Sequence, residues 1–396
     1  MNSVDNHPTS STGAGSAIPA YLGAFIFLGI ASVWTGPALS HLQQQVGTDD
    51  AGISWIFVAT SIGYITGTFV SGRGIDRGLG HRWWSLSMLV SVAMVYVASQ
   101  ASGMAMLMAA LAVLGFAGGT ADVGGNTLVL WSRPEGPGAV LNGLHLCFGI
   151  GASVAPFLVK LSIDVTDSLW GLAVPMGLVA LPLAMWLVRH RPPVRTRLDT
   201  VAASTATGAR GLHIALVAVF YFAYVGLETG FGSWIHRYTE EIHYGGAATA
   251  TGMATTFWVA FTAGRVVAIP CARRFSPGWI IAGSMSLSVV AAALFAIFHG
   301  AGPMLWVVTA LFAVSVAPQY ASMMAFAESH LALSGKNASV LIGSSGIGGL
   351  LLPWLLGQLF ASVGATSLPV VTLVMVVVTA LVSAAIGRVL SGVQRS

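Results

Sequence analysis

The chain has 396 residues, 55% of them hydrophobic and only 8% charged, with 48 glycines and a mean hydropathy of +0.81. A soluble domain carries roughly a quarter charged residues, so this composition excludes one and points to a polytopic membrane protein. The net charge of +4 does not indicate a nucleic-acid partner, because the basic residues are scattered between apolar runs. Two cysteines, Cys147 and Cys271, fall in or at the end of such runs, so no disulfide framework, metal site or cofactor is expected.

Residues 1–17 are polar and free of Lys and Arg; they lack the charged start of a signal peptide and read as a flexible cytoplasmic tail. Apolar runs long enough to cross about 30 Å of hydrocarbon follow at 18–43, 51–72, 83–100, 103–131, 138–160, 168–189, 211–235, 247–271, 278–298, 302–327, 337–363 and 366–390. Twelve spans result, so the expected fold is an all-α membrane protein. The longest connection, RPPVRTRLDTVAASTATGAR at 191–210, reads as a cytoplasmic linker between two six-helix bundles, 18–190 and 211–396. Placing the N-terminus inside leaves only Lys160 and Arg237 on the outer side, as the positive-inside rule requires. Both termini are therefore expected in the cytoplasm of a plasma or inner membrane.

The halves resemble each other. FGIGASVAP (148–156) aligns with SGIGGLLLP (345–353), and the same offset places Asp122 opposite Gln319. WTG (34–36) aligns with ETG (228–230), and SGR (71–73) with AGR (263–265). The glycine-rich 343–353 segment has no phosphate-loop ending and reads as close helix packing.

Three ionisable residues interrupt the apolar runs: Asp122, Glu228 and Arg265. Such residues are expensive in lipid and are functional hypotheses by default. Asp122 and Asn126, four apart, share a helix face, and Asn142 and His145 on span five should lie at a similar depth. Tyr221, Tyr224 and Glu228 form one stripe of span seven, suited to a sugar or to an organic cation. Trp258, Phe261 and Arg265 form another, whose arginine has two open readings: snorkelling as a structural or gating group, or bridging to Asp122. Gln319 and Tyr320 follow Pro318, which loosens span ten. No cluster has the spacing of an enzyme's nucleophile and base, so no enzyme is expected.

The loop GRGIDRGLGHR, with Gly72, Asp76, Arg77, Gly80 and Arg82, resembles the cytoplasmic signature of the major facilitator superfamily, although Leu79 takes the usual second glycine position. An acid beside arginines there can clamp helix ends while a carrier faces outward. ADVGGNTLVLW, LNGLHLCFGIGASVAPFL, YVGLETGFGSWI and FWVAFTAGR look like the sodium-dependent glucose transporter-like branch and its relative, fucose permease. The resemblance implies two pseudo-symmetric bundles, alternating access, and symport of a monosaccharide or similar polyol with Na+ or H+. In permease-like proteins an acid and an asparagine at the places of Asp122 and Asn126 lie on the transport path, so ion coupling is expected there. Trp34, Asn142, His145, Tyr224, Glu228, Trp258, Gln319 and Tyr320 are expected to line the solute pocket, and Gly72, Asp76, Arg77, Arg82 and Arg265 to serve gating. GIASVWTGPAL has no acid where the permease carries one in its first span, so a two-acid mechanism does not transfer. The expected partners are the solute, the cation and the lipid bilayer, with the chain monomeric. Two other readings stand beside symport: a proton-driven exporter of amphipathic or cationic compounds, and a non-transporting sensor on the same fold.

Overall fold

Inside lipid every backbone amide must find its partner within the protein, and these apolar runs do so as helices. The computed structural model describes residues 17–132, 138–193, 208–300, 302–331 and 335–393. Nearly all of the expected N-terminal tail and most of the linker lie outside the described residues.

The first half comprises α1 (Ile18–Val33), α2 (Leu39–Val46), α3 (Asp50–Ile53), α4 (Trp55–Gly74), α5 (Gly80–Ser99), α6 (Met104–Ser132), α7 (Gly138–Thr166) and α8 (Ala173–Arg189). The second comprises α9 (Gly208–Glu241), α10 (Ala247–Ala272), α11 (Pro277–Ile297), α12 (Gly302–Val316), α13 (Gln319–Leu331), α14 (Gly335–Val363) and α15 (Ser367–Val393). Ten stretches of the described residues are long and apolar enough to cross a membrane, and one of them, Asp50–Ser99, doubles back at Ile75–Leu79. Counting both arms of that stretch and adding the shorter apolar helix α1, the described residues hold twelve candidate crossings.

Spans one and ten, read as single runs, are broken. Span one stops at Val33, turns through residues 34–38 and resumes as α2, because Pro37 lacks an amide donor and Gly36 lies against the α9 backbone. A Cβ on Gly36 would sit 2.9 Å from the Ser233 carbonyl. Span ten breaks at Ala317-Pro318, between α12 and α13.

Helices α4 and α6 are joined through small residues on both sides. A Cβ on Gly63 or Gly67 would overlap the carbonyl of Ala112 or Phe116, and one on Gly115 or Gly119 would overlap that of Thr60 or Tyr64. Each helix therefore presents a pair of glycines four apart, which lets the backbones touch. That seam sets Tyr64 of α4 beside Asp122 of α6. The 343–353 segment also packs closely as its composition suggests, with Gly348 against the Phe222 carbonyl of α9.

The bundles meet at the end that carries α3. Arg237 grips Asp50 with two hydrogen bonds, Nε to Oδ1 at 3.0 Å and Nη2 to Oδ2 at 3.2 Å, and also pairs with Glu241 at 3.0 Å. Ser40 donates to Glu240, and Gln358 donates to the Ala51 carbonyl and Ser54 Oγ, both at 3.0 Å. Phe57 packs on Trp234 and Trp55 on Trp354 across the same seam. At the opposite end Arg73, Asp76, Arg77 and Arg82 are exposed. Among the described residues, these side-chain contacts between the bundles gather at the α3 end.

The signature loop forms a turn in which Gly78 adopts φ 75°, a left-handed conformation that favours glycine. The expected clamp is not made in this state: Asp76 has no ion pair among the described residues, and Gly72 has open space around it.

The α3-end latch makes a prediction. Arg237→Ala removes a bidentate, half-buried pair, a loss of about 1–2 kcal/mol, or roughly tenfold toward opening of this end. Spin-label distances across the α3 end should broaden toward longer values in the variant, and an unchanged distribution would show that the pair does not hold the seam.

Candidate functional site

Asp122 lies on the face of α6 turned toward α4, half-buried. Asn126, one turn on, donates through Nδ2 to Asp122 Oδ1 at 2.9 Å and also to the Asp122 carbonyl at 2.9 Å. The Tyr64 hydroxyl donates to Asp122 Oδ2. Both carboxylate oxygens thus act as acceptors, the role of an ionised carboxylate, and its orientation is held from two helices. Tyr64 was not singled out in the sequence. Its signal there is a lone tyrosine between glycines in an apolar span.

The other two buried charges lie in the same neighbourhood. Tyr320, at the first turn of α13, interacts electrostatically with Asp122, Glu228 and Arg265, and His145 of α7 with both Asp122 and Arg265. Glu228 of α9 interacts with Arg265 of α10 and with Tyr224 one turn earlier on its own helix. Six helices, α4, α6, α7, α9, α10 and α13, therefore bring one polar cluster together between the bundles.

Arg265 does not snorkel to the near end of α10. Its guanidinium lies over the Phe261 ring at 4.5 Å, folded back along the helix toward the carboxylates. The aromatic face and two acids attract a weakly hydrated cation more than the distant interface does. No ion pair within 4 Å links it to Asp122 or Glu228, so the expected bridge to Asp122 is not closed in this state.

The aromatic stripe of α9 is tied to the break in span ten. The Tyr221 hydroxyl donates to the Tyr320 carbonyl at 2.9 Å, and the Tyr221 and Tyr224 rings lie 4.8 and 6.1 Å from the Tyr320 ring. Tyr224 OH and Trp258 Nε1 are buried without a hydrogen-bond partner among the described residues, although Glu228 is close to the tyrosine. Buried donors of this kind are costly unless something completes them.

Of the other expected pocket residues, Gln319, Trp34 and Trp258 are buried and Asn142 is exposed. Gln319 is 1% exposed and spends its amide on Ser288 Oγ at 2.8 Å and the Ser315 carbonyl at 3.1 Å, inside the second bundle. The break at Pro318 turns it away from the position that the repeat assigns. Trp34 is wholly buried where α1 ends, toward the α3 end, and Asn142 is exposed one turn from His145 toward the Arg73 end. Trp258 is 6% exposed, packed on Phe257 and Phe261. No group of three or more metal-ligating side chains occurs among the described residues.

Comparison with known proteins places this geometry in a family. The model of the Major Facilitator Superfamily matches residues 20–353. Sodium-dependent glucose transporter 1 of Xenopus laevis is 28% identical over 82% of this chain and 72% of its own length. Sodium-dependent glucose transporter 1A of Mus musculus is 27% identical over 85% of this chain and 88% of its own. Among solved structures, a variant of the fucose:proton symporter FucP of E. coli superposes with a TM-score of 0.65 at 18% identity, over 94% of this chain and 99% of that one. The xylose transporter XylE of E. coli superposes with a TM-score of 0.74 at 11% identity, over 93% and 98%. The matched family model, the helical architecture and these relatives agree, and the chain belongs to the major facilitator superfamily, a multi-pass membrane transporter and not an enzyme.

Proposed function

We propose that the protein imports a monosaccharide or closely similar polyol by symport with one monovalent cation, Na+ or H+. The observation that carries this reading is the charge of the central cluster. Two carboxylates, Asp122 and Glu228, share it with one guanidinium, Arg265. With the acids ionised the site holds one negative charge in excess, which lipid and closed helices penalise until a cation enters. The tethered Asp122, with Tyr64 and Asn126 as donors, is the coupling group. His145 faces both this carboxylate and Arg265.

The solute is assigned to the second bundle's side of the cluster. Tyr224, Tyr320 and Glu228 offer aromatic faces, a hydroxyl and a carboxylate, the groups that grip a sugar ring and its hydroxyls. The relatives named for glucose, fucose and xylose support this class. The positive-inside distribution supports a cytoplasmic Arg73 end, with Asp50 and Arg237 as the outer gate and Arg73 to Arg82 as the inner one.

The test is thermal stabilisation of the purified protein by a panel of sugars, sugar acids and hydrophobic cations, with and without Na+ and at two pH values. A neutral monosaccharide is expected to raise the melting temperature, and more so with the coupling cation present. Stabilisation by hydrophobic cations alone would replace this reading with the exporter.

A further inference from the structure

A second site lies outside the central cluster, on the lipid-facing side of the second bundle. Helices α10, α11 and α12 enclose a groove of about 560 Å³ in the half nearer the Arg73 end. Its wall is apolar: Val267, Phe275 and Trp279 are 58%, 56% and 74% exposed, although all three are large hydrophobic groups. In lipid that exposure is satisfied by an acyl chain.

The mouth of the groove is charged. Arg273 and Arg274 form the turn that follows α10, between two lining residues, Cys271 and Phe275. Both arginines are exposed, and neither has an ion pair among the described residues. Two unpaired guanidinium groups at the polar end of an apolar trough match one ligand in shape and charge, a phosphate head joined to long hydrocarbon chains. We infer that this groove is a binding site for an anionic phospholipid, its phosphate held by Arg273 and Arg274 and one acyl chain lying along α11.

The floor of the groove ties the lipid to the transport helices. It is made of Gly264, Val314, Ser315 and Pro318. Gly264 adjoins Arg265 in sequence, and a Cβ there would meet Ala317 Cβ at 2.8 Å and the Val314 carbonyl at 3.0 Å. An acyl chain in the trough therefore braces the seam that holds α10 against the break in span ten.

Native mass spectrometry of the full-length protein, released from micelles holding equal amounts of phosphatidylglycerol and phosphatidylcholine, tests the assignment. One retained phosphatidylglycerol is expected, preferred by roughly tenfold or more. Two variants should each abolish that preference: Arg273→Gln with Arg274→Gln, which removes the charge, and Gly283→Phe, which fills the trough. Gly283 has open space around its Cβ position, so this second variant keeps its fold. Arg189→Gln with Arg191→Gln, in the other bundle, should leave the preference intact. Equal retention of phosphatidylcholine, a dimer peak in place of the lipid, survival of the preference in either groove variant, or equal loss in the control pair would overturn the site.

Discussion

Asp122→Asn is expected to abolish accumulation of solute against a gradient while leaving exchange of solute across the membrane in place. The substitution keeps the size of the side chain and one acceptor oxygen, so the seam between α4 and α6 and the contact to Tyr64 retain their shape. What it removes is the excess negative charge. A cation held by a carboxylate of this kind is worth about 3 kcal/mol over the amide, or roughly 100-fold in occupancy. Coupled uptake in proteoliposomes should fall by that order. Counterflow, which needs only the solute and the moving bundles, should persist. Tyr64→Phe provides the graded version: the carboxylate loses one donor, and a shift in apparent cation affinity of about tenfold is expected without loss of accumulation. A Tyr64→Phe variant indistinguishable from wild type would show that the contact is packing alone.

Gly115→Ala should destabilise the protein, although alanine is the better helix former. Propensity favours Ala over Gly by about 1 kcal/mol in a helix interior. Opposing it, the new methyl group would overlap the Thr60 carbonyl, and no rotamer relieves a clash with backbone. Helices α4 and α6 must separate, and overpacking of this kind costs about 1–3 kcal/mol or more. The clash wins, and because the same seam places Tyr64 on Asp122, coupling should fail with stability. Gly387→Ala on α15, where nothing lies within 4 Å of the added atom, is the control. It should be neutral or slightly stabilising in a thermal melt. A Gly115 variant that melts no lower than this control would refute the seam.

Much of the fold was readable because lipid leaves the chain few choices. Apolar runs of sufficient length become helices, Pro318 breaks one, and the three ionisable residues that interrupt the runs meet in one cluster. The failures share a cause, which is that spacing gives position along a helix and not rotation after a break or contact across bundles. The repeat placed Gln319 opposite Asp122, but the turn at Pro318 rotates its amide onto Ser288. The two readings of Arg265, snorkelling or a bridge to Asp122, stayed open because its depth is visible in the sequence and the Phe261 face with the acids beyond it is not. Tyr64 carried no charge to draw attention. The Asp50–Arg237 pair joins residues 187 apart on different bundles, and nothing in the local spacing of either points to the other.

The charge excess of the central cluster is the core of the account, and the direct measurement is the sugar-evoked current of reconstituted protein on a supported membrane. Each neutral sugar should carry one positive charge in the wild type, with the current following the Na+ or the proton gradient, and Asp122→Asn should give no current while counterflow continues. A wild type that moves sugar without charge, or an Asp122→Asn protein that still carries one charge per sugar, would contradict it.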